Sequence, residues 1–213
     1  MALQVVLLGP PGCGKGTQGH LLADAAGAAY FSTGKQLRRE LESGTALGEE
    51  ARPFLDAGRY VPDAMALRLA LDWLQGVEGG WVLDGFPRTL AQARELDRHL
   101  GPAAAALQAV LLEVPTGELE SRVGVRRECV QCAWVGTRSE AAEASGSCPA
   151  CGGALRRRHD DTEDRFRKRL AAYEELTEPA VVHYEGSGRL HRVPGSGSPG
   201  QVFALLRDSL RLP

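Results

Sequence analysis

A short apolar run, Leu3–Leu8 (LQVVLL), leads directly into GPPGCGKGT at Gly9–Thr17. That junction restricts the folds open to the chain. Glycines at this density let successive backbone N–H groups turn inward with no Cβ in the way, which makes an anion nest. The stretch fits G-x-x-x-x-G-K-[ST] loosely: Gly9, four residues, Gly14, Lys15, then Gly16 before Thr17. A strand before it and a helix after it are the context in which such a loop cups phosphate, because the helix N-terminus adds partial positive charge. Lys15 then reaches the terminal phosphates as a point charge, and the Thr17 hydroxyl helps to hold Mg²⁺. The plainer reading is a Gly-rich strand-to-helix turn. Cys13 reads as a small filler of the loop rather than a nucleophile.

A strand–loop–helix of this kind belongs in a parallel sheet, and the rest of the chain supplies one. Further β-rich apolar runs lie at Ala29–Phe31, Trp81–Leu83, Ala109–Val114 and Leu190–Val193, with helical stretches between them. Continuous rather than alternating apolar runs fit strands buried on both faces, so the class is α/β. Ser198-Pro199-Gly200-Gln201 carries an N-cap, a proline at the first helical position and a glutamine three residues after the cap. Val202, Leu205, Leu206 and Leu210 follow on one expected helical face. Two stretches break the alternation: Gly34–Pro62 reads as helix, turn, helix, and Cys129–Gly153 has weak periodicity and many small residues. Both look like insertions. At 213 residues the chain has room for one core plus such additions.

Charge excludes some functions. The chain has 25 Lys+Arg against 27 Asp+Glu, which argues against a general binder of nucleic acid or membrane surfaces. Only Lys15, Lys35 and Lys168 are lysines, so 22 of the cations are arginines. Arginine suits forked recognition of phosphate. No apolar run approaches membrane-spanning length and no secretory leader is visible, so a cytoplasmic protein is expected. Four of the five cysteines form CVQC (Cys129–Cys132) and CPAC (Cys148–Cys151), with 15 residues between the pairs. Two CxxC turns at that spacing close a tetrahedral Zn²⁺ site, structural because four thiolates leave no position for a substrate water. Disulfides or free thiols are the alternatives.

LDGFPRT (Leu83–Thr89) ends the third strand. Asp84, at a strand's carboxyl end, is placed to meet Mg²⁺ or its water shell, and Arg88 follows on a Gly-Phe-Pro turn. With GPPGCGKGTQ, STGKQLR (Ser32–Arg38), AGRYVPD (Ala57–Asp63), DGFPRTLAQ (Asp84–Gln92), RR (Arg126–Arg127), the CxxC pairs and RRHDDTEDRFRKRL (157–170) in this order, the chain resembles the adenylate kinase family of nucleoside monophosphate kinases. It is most similar to the bacterial form with a long lid carrying four metal-ligand positions.

The resemblance covers essentially the whole chain and implies reversible, Mg²⁺-dependent transfer of the γ-phosphoryl of ATP to AMP, giving two ADP. It implies a doubly wound, five-stranded parallel sheet with helices on both faces and two mobile inserted subdomains. The expected division is core at 1–32, 63–125 and 162–213, an AMP-binding insert at 33–62, and a lid at 126–161. Thr33, Arg38, Arg59, Tyr60, Val61, Gly85, Phe86, Pro87, Arg88, Gln92, Arg158 and Arg169 fall at the AMP side. Arg38 and Arg88 would hold its phosphate, and Gln92 would read the adenine edge. Gly12, Cys13, Gly14, Lys15, Gly16, Thr17, Arg122, Arg126, Val135, Gly136 and Gly197 fall at the ATP side, with Arg122 stacked on the base. Lys15, Arg88, Arg126, Arg158 and Arg169 would gather at the transferring phosphoryl. The family is mostly monomeric, so a monomer is expected, with ATP, AMP and ADP as its partners and neither nucleic acid nor membrane.

The chain departs from the family pattern at four places. Lys35 stands where an aspartate near the Mg²⁺ water shell is usual, and an ammonium cannot accept hydrogen bonds from water; pairing with a phosphate or with Asp84 is the expectation instead. RVGVRR (Arg122–Arg127) sets Gly124 one place early, which alters the expected lid hinge. AWVGT (133–137) stands where a Thr-Tyr or Val-Tyr pair near ATP is common, and Pro194 stands where an acidic or amide residue is common, before Gly197. Two other readings remain open on the sequence. One is a kinase for another nucleoside monophosphate. The other, from a different class, is a P-loop and zinc-ribbon regulator or nucleic-acid binder, suggested by the basic run RRRH (156–159).

Overall fold

Five parallel strands form the central sheet of a computed structural model that describes residues 2–132, 134–137, 146–158 and 161–212. In chain order they are β1 (Gln4–Leu8), β2 (Ala29–Ser32), β3 (Trp81–Asp84), β4 (Gln108–Glu113) and, last, the strand Leu190–Pro194, arranged β2-β3-β1-β4-last. Strand order reverses beside β1, and in open α/β sheets that switch point is where ligands bind, at the strands' carboxyl ends. Register brings Leu7 opposite Asp84 of β3 on one side and opposite Val110 of β4 on the other.

The continuous apolar runs have a direct structural cause. Val6 and Leu8 point to one face and Val5 and Leu7 to the other, and all four are buried. Val6 and Leu8 join a core with Phe31, Leu83 and Phe86, covered by α2 (Thr33–Glu42), α3 (Ala46–Asp56), α4 (Asp63–Gln75) and α5 (Leu90–Leu100). Val5 and Leu7 join a second core with Leu22 of α1 (Lys15–Ala26) and Leu119 of α6 (Thr116–Val125). Strands wetted on neither face have no polar positions to alternate.

Beyond α6 the chain makes a small antiparallel sheet from β5 (Arg126–Cys129), β6 (Val135–Thr137) and β7 (Leu155–Arg156), in the order β6-β5-β7. It returns through α7 (Glu163–Ala172), a π-helical turn at Tyr173–Thr177 and α8 (Glu178–Gly186), then β8 (Leu190–Pro194) and α9 (Pro199–Leu210). The capping box of Ser198 and Gln201 forms on α9. One expectation for this helix fails: Val202, Leu206 and Leu210 are buried, but Leu205 is 45 % exposed, because at 100° per residue it has turned past the edge of the core stripe. Gly124 lies inside α6, which runs on through Val125 to the first residue of β5. Ala133 and His159, in the AWVGT and RRRH runs, lie outside the described residues.

Candidate active site and four-cysteine cluster

The glycine loop is built by close approach. A Cβ on Gly9, at φ +138°, would stand 2.7 Å from Cys13 Sγ and 2.8 Å from the Leu112 carbonyl oxygen, so only glycine lets the loop sit against β4. Gly14, at φ +101°, then caps the start of α1. The loop wraps the Lys15 ammonium, which donates to the carbonyls of Gly9 at 2.6 Å and Pro10 at 2.9 Å, with Cys13 Sγ 3.5 Å away. Cys13 itself is 1 % exposed and packs in the core with Leu119 and Val123. It is a filler, and Gly12, Gly16 and Thr17 complete the turn into α1.

A second cavity opens beside α2. Thr33, Gly34 and Arg38 line it from α2, Arg59, Tyr60 and Val61 from the segment before α4, Gly85, Arg88 and Gln92 from the β3–α5 region, and Arg169 from α7. Two cations converge in it: a Cβ on Gly34 would lie 3.3 Å from Arg38 Nη1 and 3.7 Å from Arg88 Nη2. The Thr33 hydroxyl is buried without a hydrogen-bond partner among the described residues, an open polar position in a cationic cavity. Phe86 is fully buried in the core, and neither it nor Pro87, joined to it by a cis peptide bond, lines the cavity. The Gln92 side chain is largely engaged within the protein. Its amide oxygen accepts the Arg88 N–H at 2.8 Å and its amide nitrogen donates to Asp63 at 2.7 Å. Asp63 also accepts from Thr89 at 3.0 Å.

The later arginines are grouped by two carboxylates. Asp161 accepts from Arg126 Nε at 2.7 Å, again from Arg126 Nη2, and from Arg169 Nη2 at 3.3 Å. Since Arg169 also lines the α2 cavity, Asp161 links β5 of the small sheet to that cavity. Glu128 on β5 binds Arg158 and, at 3.0 Å, Arg156. Burial alone would raise its carboxyl, but Arg158, Arg38 and Arg156 outweigh burial and hold it below the usual carboxylate value. Arg156 reaches from β7 to Glu42 of α2 as well. Val135 and Gly136 pair with Glu128 and Arg127 across β5 and β6. Arg122, on α6, donates to the Gly195 carbonyl at 2.9 Å, next to Gly197 in the loop that follows β8.

Asp84 ends β3 with one oxygen fixed: the Tyr30 hydroxyl donates to Oδ2 at 2.8 Å. Burial and the Asp84 charge push the Tyr30 phenol well above its ordinary value, so it stays the donor. His20 packs on the Tyr30 ring at a centroid distance of 4.0 Å, and its pKa is lowered by burial and then by nearby Lys35. Lys35 is exposed and makes no ion pair with Asp84 among the described residues. A Cβ on Gly16 would be 3.6 Å from Asp84 Oδ2, so this carboxylate adjoins the turn of α1 that carries Thr17. A carboxylate and a hydroxyl beside a phosphate cradle fit Mg²⁺, which takes few protein oxygens and keeps much of its water.

Four sulfurs meet in the small sheet. Cys129, Cys132, Cys148 and Cys151 have Sγ atoms all within 4.8 Å of one another, with Cys129–Cys151 at 3.5 Å and Cys132–Cys148 at 3.6 Å. Tetrahedral Zn–S bonds of about 2.3 Å require sulfurs about 3.7 Å apart, so the set fits zinc. Burial opposes ionisation of Cys129, but N–H groups of Gln131 and Cys132 aimed at its sulfur bring the thiol down to about 6. The five cysteines are unbonded, and the paired sulfurs stand well beyond the S–S bond length of about 2.05 Å.

Sequence reasoning overlooked Tyr30, Asp63, Asp161, Glu128 and Thr177. Asp161 and Asp63 sat inside quoted motifs, where a carboxylate among arginines was the available signal. Tyr30 and Thr177 carry no local signal, since their partners are 54 and 89 residues away.

A glycine loop closed around a lysine, at the carboxyl end of a central parallel strand and opening a helix, places the chain among the P-loop nucleotide-binding α/β proteins. The model of the family described as adenylate kinase matches residues 7–189. Curated relatives agree along nearly the full length. An adenylate kinase of Syntrophobacter fumaroxidans is 40 % identical over 94 % of this chain and 96 % of its own. One of Methanothrix thermoacetophila is 38 % identical over 94 % and 95 %, and one of Streptomyces griseus is 37 % identical over 98 % of each. The chain belongs to the adenylate kinase family of enzymes.

Proposed function

We propose that the chain catalyses reversible transfer of the γ-phosphoryl of ATP to AMP, giving two ADP, with Mg²⁺ on the donor. The observation that carries this reading is the convergence of Arg38 and Arg88 on Gly34, in a cavity separate from the glycine loop, with Arg169 of the Arg126–Asp161–Arg169 group lining that cavity. One phosphate cradle serves a nucleotide-binding switch. Two cationic sites, with further arginines grouped beside one of them, suit a donor and an acceptor.

In this reading the glycine loop and Lys15 hold the β- and γ-phosphates of ATP, and Arg122 and the Gly195–Gly197 loop border its base. Arg38 and Arg88 take the AMP phosphate, with Thr33 beside them. Bound Mg²⁺ would neutralise charge on the donor phosphates, with Thr17 and Asp84 the residues to hold it and its water. Phosphoryl transfer has a loose transition state with charge spread over three oxygens, so positioning and cationic stabilisation supply most of the catalysis. Lys15, Arg88, Arg126, Arg158 and Arg169 suit that task without a covalent protein intermediate. Residues 33–62 and 126–161 act as the AMP-binding insert and the lid. Their closure excludes water, the competing acceptor. The four-cysteine cluster binds structural Zn²⁺, which organises a lid too small to have its own core.

Following ADP formation from ATP with AMP, CMP, UMP or GMP tests the reading. Activity with AMP alone is expected. Preference for another monophosphate would reassign the acceptor, a choice to which Gln92 contributes little free hydrogen-bonding capacity. No activity with any acceptor, together with salt-sensitive RNA binding, would favour the regulatory alternative.

A further inference from the structure

Arg88 is held by four residues: Gly85, Gln92, Tyr60 and Thr177. Its Nε–H donates to the Gly85 carbonyl at 2.8 Å, and its backbone N–H is taken by Gln92. Its guanidinium carbon lies 4.6 Å from the centre of the Tyr60 ring. The fourth hold runs through Thr177, which ends the π-helical turn and is 3 % exposed. The Thr177 hydroxyl donates to the Arg88 carbonyl at 2.9 Å and lies 3.2 Å from the Tyr60 hydroxyl. A carbonyl only accepts and a threonine hydroxyl has one proton, so the direction of the pair is settled: Tyr60 O–H donates to Thr177, and Thr177 donates to Arg88. Thr177 has helical φ −95° and ψ −29°, joins the π-turn to α8 without a break, and makes no side-chain bond to the helix backbone there. Its hydroxyl serves Arg88 and Tyr60 instead, and π-turns of this kind recur at functional sites.

We infer that Tyr60 is a positioning residue for the acceptor phosphate: its ring sets the plane of the Arg88 guanidinium, and its bond to Thr177 sets the ring. The inference rests on the reading of the Arg38–Arg88 cavity as the monophosphate site. Tyr60 lies between α3 and α4, and Thr177 lies between α7 and α8. The chain leaving the proposed insert is thereby tied to the same arginine that meets the phosphate. A cation over an aromatic face is attracted to it and loses rotational freedom. The guanidinium edge is left to face the cavity with its forked donors already oriented.

The experiment compares wild type, Tyr60→Leu and Tyr60→Phe in the full-length enzyme. In each, the KM for AMP is divided by the KM for ATP, so that effects shared by both nucleotide sites cancel, and AMP binding is measured separately by calorimetry. Tyr60→Leu should raise the ratio about fivefold and weaken AMP binding to match, while Tyr60→Phe, which keeps the ring, should restore most of the loss. A ratio in Tyr60→Leu within about twofold of wild type, or a Phe variant no better than Leu, would overturn the role of the ring. If wild type itself binds no AMP, the acceptor reading falls; if wild type binds AMP and Tyr60→Leu binds it equally well, only the Tyr60 inference falls.

Discussion

Asp161 has a fully buried carboxylate and accepts both Nε–H, at 2.7 Å, and Nη2–H from the guanidinium of Arg126. The fork-on-carboxylate contact fixes the plane of an arginine that is itself 15 % exposed. Arg169 shares the same carboxylate. Asp161→Asn keeps the volume but offers one acceptor where two were used, and takes the shared negative charge from two partly buried cations. Such losses cost about 3 kcal/mol. A fall in the denaturant midpoint is expected, with kcat down roughly tenfold and little change in KM for AMP. Unchanged kcat would remove Asp161 from the positioning of Arg126.

Lys15 is already inside the loop, bonded to Gly9 and Pro10. If its charge follows the phosphoryl group during transfer, its value is greatest in the transition state. Lys15→Met should then lower kcat at least about a hundredfold and raise the KM for ATP far less. A loss confined to ATP affinity would make the loop a simple anion cup.

Lys35 offers no acceptor to water near the Asp84–Tyr30 pair. Restoring one with Lys35→Asp should lower the Mg²⁺ concentration that gives half the maximal rate. Superimposable Mg²⁺ titrations for the two proteins would show that this position has no bearing on the metal.

For the cysteine cluster the measurement is elemental. Tag-free protein should carry about one Zn²⁺ per chain, and a chelator that removes it should open residues 126–161 to protease before the core. Metal content far below one equivalent would refute the assignment.

Glu128 gives a pH-dependent term. Its folded pKa is depressed below the ordinary 4.5. The stability it contributes is complete above that value and is lost as pH falls through the lower folded value. Glu128→Gln should therefore flatten the acid limb of a plot of Tm against pH below about 4.5. An acid limb identical to wild type would mean that its arginines are held equally well without the charge.

Much of this molecule was legible in one dimension. The five strands were found within a residue or two at each end; for β1, β3 and β4 the cause is burial on both faces, which leaves little room for polar residues, while the edge strands β2 and β8 are only partly buried. The glycine loop was legible because its glycines and Lys15 all fall within nine residues of chain. The cysteine pairs were legible for the same reason, each CxxC being a complete local turn. The sequence by itself thus determined the elements, the loop and the two cysteine pairs, all of which depend on neighbours in the chain. Only the tertiary structure decided that Tyr30 serves Asp84, that Asp161 gathers Arg126 and Arg169, and that Thr177 holds Tyr60 and Arg88. Those pairings satisfy buried polar groups, and a buried donor takes whichever acceptor the packing of the sheet brings to it, however distant in the chain.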